Sequence, residues 1–186
     1  MSDFKVASRY AKALLELSVE KNQLEEVIGD VNRLLSIALE NRDFVLMLES
    51  PIVSTDKKLN ILKALFEKTA NKITITFFEI VTRKNRSAVL LATAKEFQRQ
   101  YNLHMGIQVA EVTTTLPLNE GLKKSFVEIV KEISGLEKVE LVEKINKDII
   151  GGFVLKVNDK LLDDSISGKL RTLRLRFAQR YFVKTF

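Results

Sequence analysis

Apolar residues recur at helical spacing through the first hundred positions of this chain, and the period then changes. The spacing predicts helices over Val6–Val19, Leu24–Leu39, Asn41–Leu48, Thr55–Lys68, Asn71–Thr82 and Ser87–Asn102. The third ends at Ser50-Pro51, because the residue before a proline is pushed out of the helical region. Ser87 is expected to cap the sixth. Connections of only a few residues favour antiparallel neighbours in a compact bundle. Beyond His104-Met105-Gly106 the segment Ile107–Thr115 alternates and is rich in β-branched residues, so it reads as a strand. Pro117-Leu118-Asn119 starts a helix that runs through Ile133 and stops at Ser134-Gly135, and Val139–Ile145 alternates again. The expected fold is mainly α: an N-terminal six-helix bundle over residues 1–104, followed by a small α+β domain over residues 105–186.

The stretch from Asp148 to Leu173 holds the sharpest change of pattern. Ile149-Ile150 runs into Gly151-Gly152, Phe153–Val157 reads as a strand, Asn158-Asp159 as a turn and Leu161-Leu162 as the return strand. After Asp163-Asp164-Ser165, the residues Ile166, Leu170, Leu173, Phe177 and Tyr181 fall on one helical stripe. The second half therefore has β-α-β-β-β-α order. Glycines ahead of a strand mark a bulge or a close backbone crossing. A phosphate loop is disfavoured, since the Gly-x-x-x-x-Gly-Lys-Ser/Thr pattern is absent. Asp163 and Ser165 precede an apolar-periodic helix, which makes them caps and not catalysts.

Two helices carry more apolar surface than one buried stripe requires. On the first, Ala7, Ala11 and Leu14 fall on one side and Tyr10, Ala13 and Leu17 on another. On the fifth, Ile73, Phe77, Ile80 and Val81 form a group that Ile75 and Phe78 extend. Either both helices are central in the bundle, or they line a groove that receives an amphipathic helix from another chain.

Composition narrows the chemistry. No cysteine is present and His104 is the one histidine, which excludes thiolate metal sites and leaves a His-based site or triad without partners. No carboxylate pair is recognisable as an acid–base couple. No apolar run approaches the roughly 20 residues that span a bilayer, and the first residues lack a signal-peptide pattern. The net charge of +6 is concentrated at one end: residues 166–186 hold six basic and no acidic residues, while residues 1–165 balance at 24 of each. Such a patch suits an acidic protein surface, anionic lipid or nucleic acid, although it lacks interleaved aromatics for base stacking. The Arg83-Lys84-Asn85-Arg86 cluster ends the fifth helix, where cations complement the helix dipole.

Two motifs resemble one family. Ala7-Ser8-Arg9-Tyr10-Ala11-Lys12-Ala13-Leu14 is similar to the opening signature of the delta subunit of F-type ATP synthase, whose mitochondrial counterpart is the oligomycin-sensitivity-conferring protein. Ile150-Gly151-Gly152-Phe153-Val154-Leu155-Lys156-Val157, followed by Asp163-Asp164-Ser165-Ile166 and Lys169-Leu170, is similar to its C-terminal signature. Asp164 stands where that family often has glycine. The resemblance implies a non-catalytic stator subunit that links the catalytic head to the peripheral stalk. Its implied partners are N-terminal helices of the alpha subunits and the ends of the b subunits. No cofactor, metal, small-molecule substrate or nucleic acid is expected. Membrane contact comes only through the complex, placing the chain peripherally on the cytoplasmic face of the bacterial inner membrane.

Carried over by position, the alpha-subunit groove implicates Tyr10, Ala11, Leu14, Phe77, Phe78 and Val81. The basic last helix, with Arg171, Arg174, Arg176 and Arg180, suits an acidic stalk surface. The alternative from another class is a helical RNA-binding regulatory protein using the basic patches, whose affinity would fall steeply with salt. On the stator reading, Leu14→Glu or Phe78→Glu weakens binding of an alpha-subunit N-terminal peptide while the C-terminal domain stays folded. Peptide titration together with circular dichroism checks both halves of that expectation.

Overall fold

A computed structural model describes residues 3–67 and 69–180, apart from the side chains of Asp3, Gln179 and Arg180. The chain divides into two compact units between His104 and Met105.

The first unit contains α1 (Asp3–Glu20), α2 (Leu24–Glu40), α3 (Arg42–Glu49), α4 (Thr55–Phe66), α5 (Lys72–Arg83) and α6 (Leu90–His104). Local chemistry sets several ends. The Asn41 side chain accepts from Phe44 N–H at the start of α3, and Asn71 accepts from Ile73 N–H at the start of α5. Ser50, ahead of Pro51, is extended and closes α3. One core joins all six helices, with Leu34, Leu48, Leu62, Phe66, Val81 and Phe97 among its most buried side chains.

Ser87 departs from its expected role. The chain makes a 3-10 turn over Ser87–Val89 before α6 begins. The Ser87 hydroxyl turns inward, donating to the Leu48 carbonyl at 2.8 Å and accepting from Lys58 Nζ at 2.8 Å. Lys58 also donates to the carbonyls of Leu48 (2.9 Å) and Ser50 (2.7 Å). Its ammonium thus satisfies the end of α3, where the helix dipole favours a cation. Burial pushes its pKa below the ordinary lysine value.

The second unit runs β1 (Ile107–Thr114), α7 (Glu120–Ser134), β2 (Lys138–Ile145), β3 (Phe153–Val157), β4 (Lys160–Asp163) and α8 (Ile166–Arg180). The sheet order is β2-β1-β3-β4. β1 pairs parallel with β2, a crossover that α7 supplies, and antiparallel with β3. Asn119 caps α7 by accepting from Leu122 N–H, and Gly135 ends it at φ 71°, a conformation suited to glycine. Phe126 and Val130 of α7 cover Ala110, Val112, Leu155 and Val157 on one face of the sheet. In the β3–β4 turn, Asn158 sits at φ 51° and exchanges amide hydrogen bonds with Gln108 of β1 at 2.9 and 3.0 Å. Only Met105 and Gly106 lie between α6 and β1.

α8 adds nothing to that core. Its side chains from Lys169 to Ala178 are all exposed. The expected stripe is present in Ile166, Leu170, Leu173 and Phe177, but it faces out of the unit; Tyr181 lies outside the described residues.

Lys58→Met keeps the aliphatic length and removes the ammonium, leaving the Ser50 carbonyl without its donor. The first unit is expected to lose about 2 kcal/mol, read by urea denaturation of the full chain.

Candidate functional site

On α1, Ala7, Ala11, Leu14 and Ser18 are buried, while Ala13 and Leu17 on the second apolar side are exposed. On α5, Thr74, Phe78 and Val81 face the core and Ile80 stands out at 47% exposure. Both helices therefore have an apolar face outside their own core, which is the unusual feature for a helix packed on one side. They meet through Tyr10 and Phe77, whose rings lie edge-to-face at 6.2 Å. Phe77 adjoins Phe78 at 6.3 Å, and Phe78 packs edge-on against Phe66 at 5.3 Å, so an aromatic row runs from this surface into the core. Arg86 donates to the Tyr10 hydroxyl at 3.0 Å and lies 5.8 Å from the ring centre.

Of the six groove residues expected from sequence, Ala11, Leu14, Phe78 and Val81 are at most 3% exposed and belong to the core. Only Tyr10 and Phe77 are half-buried at the surface. A charge at Leu14 or Phe78 would thus disturb the fold of the first unit as well as any partner contact. Leu17 and Ile80 are the accessible apolar side chains that a position-by-position carry-over misses. The helical period already sets Leu17 with Tyr10 and Ala13, so the signal was in the pattern.

Polar anchors fix both helices from behind. Asp30 of α2, 5% exposed, accepts from Asn71 N–H and from the Thr74 hydroxyl, each at 2.8 Å. That sets a carboxylate at the positive end of α5. Lys63 of α4 pairs with Glu79 of α5 at 2.6 Å, and this hydrogen bond holds the Glu79 carboxyl below its ordinary value. Glu96 of α6 receives both arms of Arg99 (2.9 and 2.7 Å), Gln100 at 2.9 Å and the Ser8 hydroxyl of α1 at 3.3 Å. Chiefly through the Arg99 hydrogen bonds, its pKa is lowered from 4.5 to about 2, against the opposing effect of burial.

The second surface is α8. Ser165 caps it by accepting from Gly168 N–H at 3.0 Å. Asp163 in turn accepts from the Ser165 N–H and hydroxyl, which holds its carboxyl below the usual range. Asp163 therefore positions the cap and is not itself one. Gly152, at φ 77°, lies so close to Asp164 that a Cβ there would fall against the Asp164 carbonyl oxygen. Asp164 is not among the residues at positive φ, so its place in a position often held by glycine imposes no backbone strain; it pairs with Lys169 at 2.7 Å. Arg171, Arg174 and Arg176 are exposed along the helix, and the Arg180 side chain lies outside the described residues.

A third feature has no counterpart in the sequence reading. An open apolar concavity of about 740 Å³ lies among α2, α3 and the start of α6, lined by Leu35, Ala38, Leu39, Val45, Leu91 and Lys95 among others. It is built from three segments distant in sequence, so no local period announces it.

The two units thus each leave an apolar helical face outside their own core, as a subunit of a larger assembly would. The family model described as ATP synthase delta (OSCP) subunit matches residues 6–177. ATP synthase subunit delta of Cytophaga hutchinsonii is 40% identical over 97% of this chain and 98% of its own. The same-named protein of Amoebophilus asiaticus is 30% identical over 95% and 96%. A chain in the cryo-EM structure of the Toxoplasma gondii mitochondrial ATP synthase hexamer shares the fold, with a TM-score of 0.75 at 22% identity, over 92% of this chain and 97% of that one. The chain belongs to the ATP synthase delta (OSCP) subunit family. It is a non-catalytic, peripheral-stalk component of the stator, and the RNA-binding alternative is left without support.

Because the folded pKa of Glu96 lies below its ordinary value, its contribution is fully present above about pH 4.5 and is lost as pH falls towards 2. Glu96→Gln is expected to lower stability at pH 7 and to flatten the acid limb between pH 4.5 and 2, measured by denaturation across that window.

Proposed function

We propose that the first unit, acting as one six-helix bundle, grips N-terminal helices of the alpha subunits, and that the second unit grips the ends of the peripheral-stalk b subunits. The observation that carries this reading is a shared asymmetry. Each unit has its own core, and each leaves an apolar helical face outside it. An amphipathic helix laid between α1 and α5 would meet Tyr10, Leu17, Phe77 and Ile80, over a floor of Ala11, Leu14, Phe78 and Val81. α8 offers Ile166, Leu170, Leu173 and Phe177 at coiled-coil spacing, flanked by Lys169, Arg171, Arg174, Arg176 and, by position, Arg180. A stalk helix with an apolar seam and acidic flanks is the complement.

Function follows from holding both partners. Rotation of the central shaft exerts torque on the catalytic head, and a head not anchored to the membrane sector would turn with the shaft. Residues 1–104 and 105–186 serve as separate clamps on one chain. Once one is engaged, the other binds at high effective concentration, so neither interface has to be very tight alone. Among the described residues no helix is long and apolar enough to cross a membrane. The complex would hold the chain peripherally, at the cytoplasmic face of the bacterial inner membrane.

Leu17→Glu with Ile80→Glu is expected to weaken binding of the alpha-subunit N-terminal peptide at least tenfold, on the order of losing a buried anchor, and to leave b-subunit binding unchanged. Leu170→Glu should do the reverse. Calorimetric titration of the full-length chain with each partner peptide tests this, and wild-type affinity of every variant for both partners would refute the two-clamp reading.

A further inference from the structure

Ile150 stands at φ 66° and ψ −36°. For a β-branched residue this is a genuine outlier, because the side chain crowds its own backbone there. It is the one apolar side chain at positive φ among the described residues; the others are Asn22, Asn85, Asn158 and glycines, which tolerate that region. The backbone around it is held from both sides. Its N–H donates to the Lys147 carbonyl at 3.1 Å, closing a 3-10 turn over Lys147–Ile149, and Ile149 is buried. On the other side, the Gly151 carbonyl accepts from Ile166 N–H, at the first residue of α8, at 3.0 Å. The Ile150 side chain takes no part in this hold, being 62% exposed and outside the core. Strained positions of this kind persist where the surroundings over-determine them, and they cluster at functional surfaces.

We propose that Ile150 is an apolar stalk-contact residue, a fixed knob at the root of α8 that seats the same partner helix as Ile166, Leu170, Leu173 and Phe177. This rests on the assignment of α8 to the stalk. A Cβ on Gly151 would fall 2.8 Å from Ile166 Cδ1, so the chain at Ile150–Gly151 passes directly against the first residue of the stripe. Two exposed apolar side chains, Ile150 at 62% and Ile166 at 44%, thus flank the point where the turn meets the helix. The partner is a helix with an apolar seam and acidic flanks, because α8 carries Lys169, Arg171, Arg174, Arg176 and Arg180 and no acid between Ile166 and Arg180. A knob whose backbone is already locked loses little freedom on binding, which is the advantage of preorganisation. Glycine at 150 would relieve the backbone and remove the contact. Stability and binding are therefore opposed at this one position.

The test uses the full-length chain, the purified C-terminal segment of the b subunit from the same ATP synthase, and calorimetric titration beside urea denaturation. Ile150→Gly is expected to weaken binding about tenfold or more, the order for withdrawing one buried aliphatic side chain, while its denaturation midpoint holds or rises. Ile150→Leu, with similar apolar reach, should stay within about threefold of wild type. Wild-type binding by Ile150→Gly overturns the proposal, and so does a loss of binding that comes with a lowered midpoint. Leu170→Glu separates the two layers. If it loses binding and Ile150→Gly does not, only the role of Ile150 fails; if it too binds as wild type, the stalk assignment of α8 fails.

Discussion

Glu96 is buried against α1 with its charge retained, and it adds a polar tie to the apolar packing that holds α1. The carboxylate gathers Arg99, Gln100 and Ser8 at one point, so α1 is tied to α6 by polar contacts in addition to its apolar side. Asp30 does the same for α5 from α2, and Lys58 for the end of α3. Such groups are costly to bury and survive only when every lone pair and proton is matched, which makes them geometrically exacting. A helix that leaves an apolar face to the outside has less surface with which to hold itself. Buried polar anchors supply the missing definition without covering that face.

The same division explains how far the sequence could be read. Among the described residues, periodicity located the eight α-helices and four strands but neither 3-10 turn, at Ser87–Val89 and Lys147–Ile149, and the period changed from near 3.6 to near 2 between α6 and β1. It also showed that α1 and α5 carry two apolar sides. Angular position on a helix does not say which side meets its own core, however, because that depends on neighbours from distant segments. Hence Leu14 and Phe78 lie inside while Leu17 and Ile80 lie outside, although all four belong to the same pattern. Ser87 illustrates a second limit. A serine ahead of an apolar run reads as a cap, yet a buried lysine twenty-nine positions away claims its hydroxyl. The strain at Ile150 was illegible for a further reason: nothing in side-chain type announces a positive φ at a branched residue.

The root of α8 shows local and long-range determinants acting together. Gly152 permits the close crossing of Asp164, Asp163 holds Ser165, and Ser165 holds the first turn of the helix. The motif that identified the family is thus a small scaffold for launching a helix away from its own sheet. Its residues carry no chemistry of their own, and their spacing reflects the geometry of that launch.

The passage between the two units is only Met105 and Gly106, and this has a mechanical consequence. It joins α6, which contributes Leu90, Ala94 and Phe97 to the first core, to β1, which lies between β2 and β3 in the sheet. A pull along the chain therefore enters each unit through an interior element, not through a fraying edge. Removing β1 would require breaking its ladders to both β2 and β3. For a stator subunit, the tether is short, and its two ends are rooted in a core-forming helix and an inner strand.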